Sequence, residues 1–299
     1  MGIVDLTDDN QKNPSIHWID LSSFDDYYIA RVNFFPDHTL ALQIENRQQT
    51  KLQLYQYDFL DKKQLRLLIE ETSQSWINLH DLFRQLKKTP TQFIWASERT
   101  GFMHLELYDL TSGQLIKAIT TGEWVVQRIV DIDEDNGVIY FLANRETPLE
   151  VHLYSVSYRD EVPQVDRITQ EAGCHTVYGF NRTYEYCVTQ WSSIDQYPII
   201  RILDVKKKEI IKTLDHLHQG QIQAIEQFHF VKPQLLKIQN RTTETLYCAV
   251  YKPDDKQSRF QKPYPTLVSV YGGPHLQRYV RREGENDLFH SYSTFVRIT

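Results

Sequence analysis

Phe93-Ile94-Trp95-Ala96-Ser97-Glu98-Arg99-Thr100-Gly101-Phe102-Met103-His104-Leu105-Glu106-Leu107-Tyr108-Asp109 reads as two strands and the turn between them. Phe93 to Ser97 is a short apolar run rich in aromatic and branched side chains, which fit a pleated, buried surface. Glu98 to Gly101 is turn chemistry, and Leu105 to Tyr108 resumes with period-two alternation before Asp109.

The same unit recurs along the chain. Leu40 to Ile44, Val138 to Leu142 and Tyr184 to Val188 match Phe93 to Ser97, and the four runs start 53, 45 and 46 positions apart. Each is followed by a polar turn and an alternating strand: Leu52 to Tyr55, Leu105 to Tyr108, His152 to Tyr154 and Ile199 to Ile202. Fourth strands are expected at Gln64 to Ile69, Leu115 to Thr120 and Ile210 to Leu214. A period of about 45–50 residues with four strands per unit is the signature of β-propeller blades, and the internal period of two excludes helical solenoids. Four blades are predicted, preceded by a stray strand near residues 15–21 that resembles the end of an earlier blade, so the arc is open. After about Phe230 the period fails. A hairpin of Leu235 to Gln239 and Thr245 to Tyr251 turns at Asn240-Arg241-Thr242-Thr243, and the apolar run Thr266 to Val270 follows. These three strands are the expected opening of an α/β sheet. The predicted fold is therefore mainly β: a partial β-propeller over residues 1–231, then the first strands of an α/β-hydrolase domain over residues 232–299.

Composition narrows the function classes. The 41% hydrophobic and 24% charged fractions are those of a soluble globular chain. A net charge of −6 argues against nucleic acid as a partner, because such binding needs clustered Lys and Arg to displace counterions. No apolar run approaches the roughly 20 residues that cross a bilayer, and Met1 to Asn10 carries three aspartates and no apolar core. Cytoplasmic localisation and no membrane partner are expected. Cys174, Cys187 and Cys248 cannot all pair and lack metal spacing, so buried free thiols are expected, with neither metal nor cofactor.

Several stretches together resemble one family. They are Trp76-Ile77-Asn78-Leu79-His80-Asp81, Trp95 to Phe102 with His104-Leu105, Thr121-Gly122-Glu123-Trp124, Pro148 to Tyr154, Tyr251-Lys252-Pro253 and Tyr271-Gly272-Gly273-Pro274-His275. In this order and spacing they resemble the dipeptidyl peptidase IV family of serine exopeptidases, the bacterial members and the cytosolic branch above all. The resemblance implies a propeller over an α/β-hydrolase domain that removes N-terminal X-Pro or X-Ala dipeptides from peptide substrates, often as a homodimer. It implies one catalytic residue within these 299: Tyr271, whose counterpart donates its hydroxyl to the oxyanion of the tetrahedral intermediate. The sequence holds no G-x-S-x-G, and the resemblance implies that the family's amine-binding glutamate pair lies upstream of the matched stretches and its Ser, Asp and His downstream, so neither set has counterparts in these residues. Substrate-binding residues are not assigned. Leu288 to Tyr292 still resembles the family and Ser293 to Thr299 departs from it, which points to an interrupted or split gene, truncated at both ends. A fragment inactive on its own is expected; a non-catalytic binding propeller and one half of a split enzyme are the alternatives. Residues from about Gln277 onward are expected to be poorly ordered.

Other chemistry-bearing residues read as structural. His80 and Asp81, neighbours on a strand, would face opposite ways and could not share an ion. Glu98-Arg99 is expected as a solvated turn pair worth about 0–1 kcal/mol, and Glu123-Trp124 as a turn residue followed by an anchor between blades. His275 has no role as a general base. Asp133-Glu134-Asp135 lacks the spacing of a calcium loop, and Asn181-Arg182-Thr183 and Asn240-Arg241-Thr242 match the glycosylation pattern by chance.

Overall fold

A computed structural model describes residues 1–4, 16–35, 39–59, 64–194, 196–215, 233–252 and 266–270. All regular structure among them is antiparallel β. Strands β1 (Gly2–Val4) and β2 (Ile16–Trp18) pair with each other. Four four-stranded sheets follow in chain order. The first is β3 (Tyr27–Phe34), β4 (Leu40–Asn46), β5 (Lys51–Asp58) and β6 (Gln64–Thr72). The second is β7 (Arg84–Gln85), β8 (Gln92–Ser97), β9 (His104–Asp109) and β10 (Leu115–Ala118). The third is β11 (Val126–Asp133), β12 (Val138–Ala143), β13 (His152–Ser157) and β14 (Asp166–Arg167). The fourth is β15 (Cys174–Phe180), β16 (Tyr186–Ser193), β17 (Gln196–Asp204) and β18 (Glu209–Asp215). Each sheet pairs its strands in sequence order, the meander of a propeller blade. The expected four blades are present, as is the hairpin β19 (Gln234–Gln239) and β20 (Thr245–Val250).

Two expectations need correction. The second strand of blade 4 begins at Tyr186 rather than Tyr184, which has φ 55° and lies in the preceding turn. Its ring leaves the strand to stack on Tyr140 of blade 3, with centroids 5.5 Å apart and planes at 5°, while its hydroxyl donates to the Ile132 carbonyl at 3.2 Å. The aromatic contact and the hydrogen bond offset the cost of a left-handed non-glycine residue. Residues 266–270 form no ladder, and Leu267, Val268 and Val270 are exposed. A parallel strand is covered only by neighbours on both sides and by helices on its faces, and the described residues place none there.

By contact the chain divides into Met1–Glu123 and Trp124–Thr299. In the first unit, blades 1 and 2 share a core of Phe35, Ala41, Leu52, Leu54, Leu68 and Ile69 against Phe93, Trp95, Tyr108 and Leu110. Phe83 plugs this core, edge-on to Phe35 at 5.5 Å and tilted on Phe93 at 5.8 Å. A second cluster packs Ile19 and Leu21 on Leu40, Leu42, Ile44 and Tyr57 of blade 1. In the second unit, Tyr140, Leu142, Leu153 and Ile168 of blade 3 meet Val177, Cys187, Leu203 and Val205 of blade 4. These side chains alternate along their strands, which is why a period-two sequence buries a face on each neighbour.

A single parallel bridge, Val151 to Cys174, ties blade 3 to blade 4. It rests on Val151 N donating to Gly173 O at 3.2 Å and His175 N donating to Val151 O at 2.8 Å. Gly173 has φ 137°, and a Cβ there would sit 2.3 Å from the Ser192 carbonyl oxygen, so only glycine allows the approach.

Candidate functional site

The sequence places catalytic chemistry at Tyr271, which lies outside the described residues together with His275, Leu288 to Tyr292 and the tail from Gln277. The described residues do bring together polar groups of two kinds.

The first is an ionic network in blade 2. The β8–β9 turn carries Arg99 back over the sheet, where its Nη2 lies 3.0 Å from Glu106 Oε2 and 3.4 Å from Glu71 Oε1. Arg99 also donates to the Tyr108 hydroxyl at 2.6 Å, and that hydroxyl donates to Glu106 Oε2 at 2.9 Å. Trp95 Nε1 donates to Glu71 Oε1 at 2.7 Å. Glu106 is buried and Glu71 largely so, with side chains 8% and 11% exposed. Desolvation pushes the Glu106 carboxyl up from its ordinary value, against the pull of Arg99. Burial lowers Arg99, but the neighbouring Glu106, Tyr108 and Glu71 more than reverse this, and its affinity for the proton rises. Arg99 is thus the shared counter-ion of two largely buried carboxylates rather than the solvated partner of Glu98, which instead accepts from Asn78 Nδ2 at 2.7 Å.

The second is a pair of matching clamps. In blade 2, the Thr120 hydroxyl accepts from Leu105 N at 2.9 Å and lies 3.0 Å from His104 Nδ1; His104 Nε2 lies 2.8 Å from the Gly122 carbonyl. In blade 3, the Thr169 hydroxyl accepts from Leu153 N at 3.0 Å and lies 3.1 Å from His152 Nδ1; His152 Nε2 lies 2.9 Å from Glu150 Oε2. One tautomer satisfies both: Nε2–H donates outward and Nδ1 accepts the threonine hydroxyl. Leu105 O accepts from Ile119 N and Thr120 N, and Leu153 O accepts from Ile168 N and Thr169 N. Each clamp therefore locks the first residues of the third strand to the chain leaving the fourth. Burial lowers the pKa of both imidazoles, so both stay neutral. Either threonine changed to valine removes the hydroxyl that bridges the imidazole Nδ1 and the strand amide, with an expected loss of roughly 1–2 kcal/mol by urea denaturation. A serine variant, which keeps the hydroxyl, recovers most of it.

The clamps were not anticipated, although their signal is present: His-Leu at 104 and 152, followed 15 and 16 residues later by Ile-Thr at 119 and 168. Such pairs read as ordinary strand residues until the third strand and the exit of the fourth are seen side by side.

The other candidates resolve as structure. His80 is packed edge-on to Trp95 at 4.8 Å and accepts from Leu82 N through Nδ1 at 3.2 Å, while Asp81 pairs with Arg31 at 3.0 Å. The pair is structural, as expected, but it lies in a loop rather than on a strand. Trp124 is buried and stacks on Phe141 at 6.1 Å and Tyr154 at 6.4 Å, both in blade 3. It anchors the sheet of blade 3. Asp133 caps the β11–β12 turn, accepting from Asp135 N and Asn136 N at 3.1 Å. Cys174 and Cys187 are buried free thiols and Cys248 is partly buried; burial pushes Cys187 up to about 12, away from reactivity. Among the described residues no His, Cys, Asp and Glu cluster could hold a metal, and no helix is long and apolar enough to cross a membrane.

Comparison with known proteins places this architecture. The crystal structure of Porphyromonas gingivalis dipeptidyl peptidase 4 superposes with a TM-score of 0.76 at 20% identity, over 90% of this chain and 37% of that one, which shows a shared fold. Human dipeptidyl peptidase 8 is 29% identical over 303 residues, covering 84% of this chain and 33% of the relative. The probable dipeptidyl peptidase 4 of Emericella nidulans is 28% identical over 197 residues, covering 64% of this chain and 24% of the relative. The chain thus spans about a third or less of the length of these curated relatives. The model of the dipeptidyl peptidase IV (DPP IV) N-terminal region matches residues 1–198, and the chain belongs to that family.

Proposed function

We propose that this chain forms part of a serine-type dipeptidyl peptidase. In this reading residues 1–231 supply propeller blades and residues 232–299 open the α/β-hydrolase domain. The observation that carries it is the family match over residues 1–198, extended by Tyr271-Gly272-Gly273-Pro274 in the sequence. The substrate class is peptides with Pro or Ala second from the N-terminus, and no metal or cofactor takes part. In the reaction the serine hydroxyl, its proton taken by the histidine, attacks the peptide carbonyl; the C–N bond breaks as that proton passes to the leaving amine, and water then releases the dipeptide from the acyl-enzyme. The share of these residues is Tyr271, whose phenolic hydroxyl donates to the oxyanion; a preorganised donor in that position contributes roughly 3–4 kcal/mol. Because the 299 residues hold no nucleophile elbow, they do not cleave peptides unaided.

Purified as these 299 residues, the protein is expected to show no hydrolysis of a chromogenic Gly-Pro substrate. Turnover that a serine-directed phosphonate abolishes would overturn the inactivity. Co-expressed with a polypeptide carrying the family's Gly-Trp-Ser-Tyr-Gly-Gly segment and triad, the chain is expected to restore Gly-Pro cleavage. A complex that assembles and never cleaves would favour a non-catalytic, peptide-binding propeller.

A further inference from the structure

Blade 2 holds a cavity of about 320 Å³ between the β8–β9 turn and the chain leaving β10. That is near the lower end of ligand-site volumes, enough for one small group. Glu106 and Glu123 supply the only charged side chains in its wall; no Lys or Arg lines it. His104, also in the wall, has its pKa lowered by burial, against the opposing pull of its bond to the Gly122 carbonyl, and its ring nitrogens are taken up by Thr120 and Gly122. Glu106 is 6% exposed, and both of its contacts, to Arg99 and to the Tyr108 hydroxyl, are made through Oε2. Oε1 makes no hydrogen bond among the described residues. The network beneath the cavity is itself one positive charge short, with Arg99 facing both Glu71 and Glu106. Phe102 adds an aromatic ring to the wall, and Thr100 and Thr121 add hydroxyls able to accept, while the Ser97 hydroxyl already accepts from Arg99 N and Nε.

From this geometry we infer that the blade 2 cavity binds a single small organic cation, an alkylammonium or alkylguanidinium group. Its charge meets the free oxygen of Glu106 and the rim carboxylate of Glu123, its N–H groups donate to the hydroxyls of Thr100 and Thr121, and its apolar stem lies along Phe102. Carboxylates facing a cavity with no cation in its wall repel anions and leave neutral ligands no advantage over water. Tyr271 is not involved, and the inference does not depend on peptidase activity.

The experiment is calorimetric titration of the purified chain with n-butylguanidinium chloride at low ionic strength, with n-butanol as the uncharged control. Saturable binding at or below the millimolar range is expected for the guanidinium and none for the alcohol. Two substitutions at exposed wall positions leave the fold intact: Glu123→Gln removes a charge, and Ala118→Phe fills the space without changing charge. Each is expected to weaken binding about tenfold or more, equivalent to roughly 1.4 kcal/mol, while circular dichroism and thermal unfolding match the parent protein. Absence of binding at 10-fold above the millimolar range, equal binding of the alcohol, or unchanged binding in either variant would overturn the site.

Discussion

Trp95→Ala is expected to destabilise the Met1–Glu123 unit by about 4 kcal/mol, within the range for a buried tryptophan cut to alanine. Trp95 is fully buried and packs in the core shared by blades 1 and 2. Phe83 lies 6.2 Å and His80 4.8 Å from its ring, so truncation opens a cavity beneath the loop that carries both. It also removes the indole donor to Glu71, leaving a largely buried carboxylate with Arg99 as its remaining contact. A loss of this size is a large fraction of the 5–15 kcal/mol that typically separates folded from unfolded domains. Urea denaturation read by near-ultraviolet circular dichroism measures it. Trp95→Phe separates the two contributions: it keeps most of the ring and drops only the donor, for an expected loss of roughly 1–2 kcal/mol. Equal midpoints for the alanine variant and the parent would show that the shared core does not hold the two blades.

Acidification is expected to weaken the Trp124–Thr299 unit, through His175. Its imidazole is buried and its pKa is held down to about 3, first by desolvation and then by the positive charges of Arg167 and Arg201 and the neighbouring His152, against the hydrogen bond to Glu171 O. The ring centroid of His152 is 5.1 Å away. The folded-state pKa lies below the unfolded value of about 6.5. Below that value the unfolded chain therefore binds a proton that the native state refuses, and stability falls as the pH drops toward 3. At pH 5 the difference amounts to about 2 kcal/mol from this residue. His152, lowered in the same direction, adds to it. The check compares the parent with His175→Gln, which keeps a donor for the Glu171 carbonyl but cannot titrate. The gap between their stabilities must change between pH 7.5 and pH 5, with the variant gaining relative to the parent. A constant gap would mean that His175 takes up its proton in the fold at the same pH as in the unfolded chain.

The blades were legible because period-two alternation is a local property. Phe93 to Ser97 and Val138 to Leu142 each announce a central strand, and structure places β8 and β12 there. What escaped was decided by tertiary contact. Tyr184 has the β propensity of its neighbours, yet a ring 5.5 Å away in the next blade pulls it out of the strand. Glu98-Arg99 looks like any solvated turn, because nothing local shows that Glu71 and Glu106 lie largely buried within reach of the guanidinium. Trp124 was recognised as an anchor, but the surface it covers, Phe141 and Tyr154, depends on which way the chain turns at Gly122-Glu123. Thr266 to Val270 has the composition of a buried parallel strand, and composition cannot supply the neighbours that bury it. Tyr271, read from a motif and from family resemblance, stands outside the described residues.

The paired clamps also carry a kinetic consequence. The outermost strand of a blade can peel away only by releasing Ile119 and Thr120, or Ile168 and Thr169, from the carbonyl that accepts both amides. Opening exposes His104 or His152 to water, where below about pH 6.5 the ring captures a proton and can no longer accept the threonine hydroxyl. Reclosure must then wait for that proton to leave. Each clamp thus behaves as a latch that acid holds open, and blade edges should exchange their amide hydrogens through longer-lived openings in acid than at neutrality.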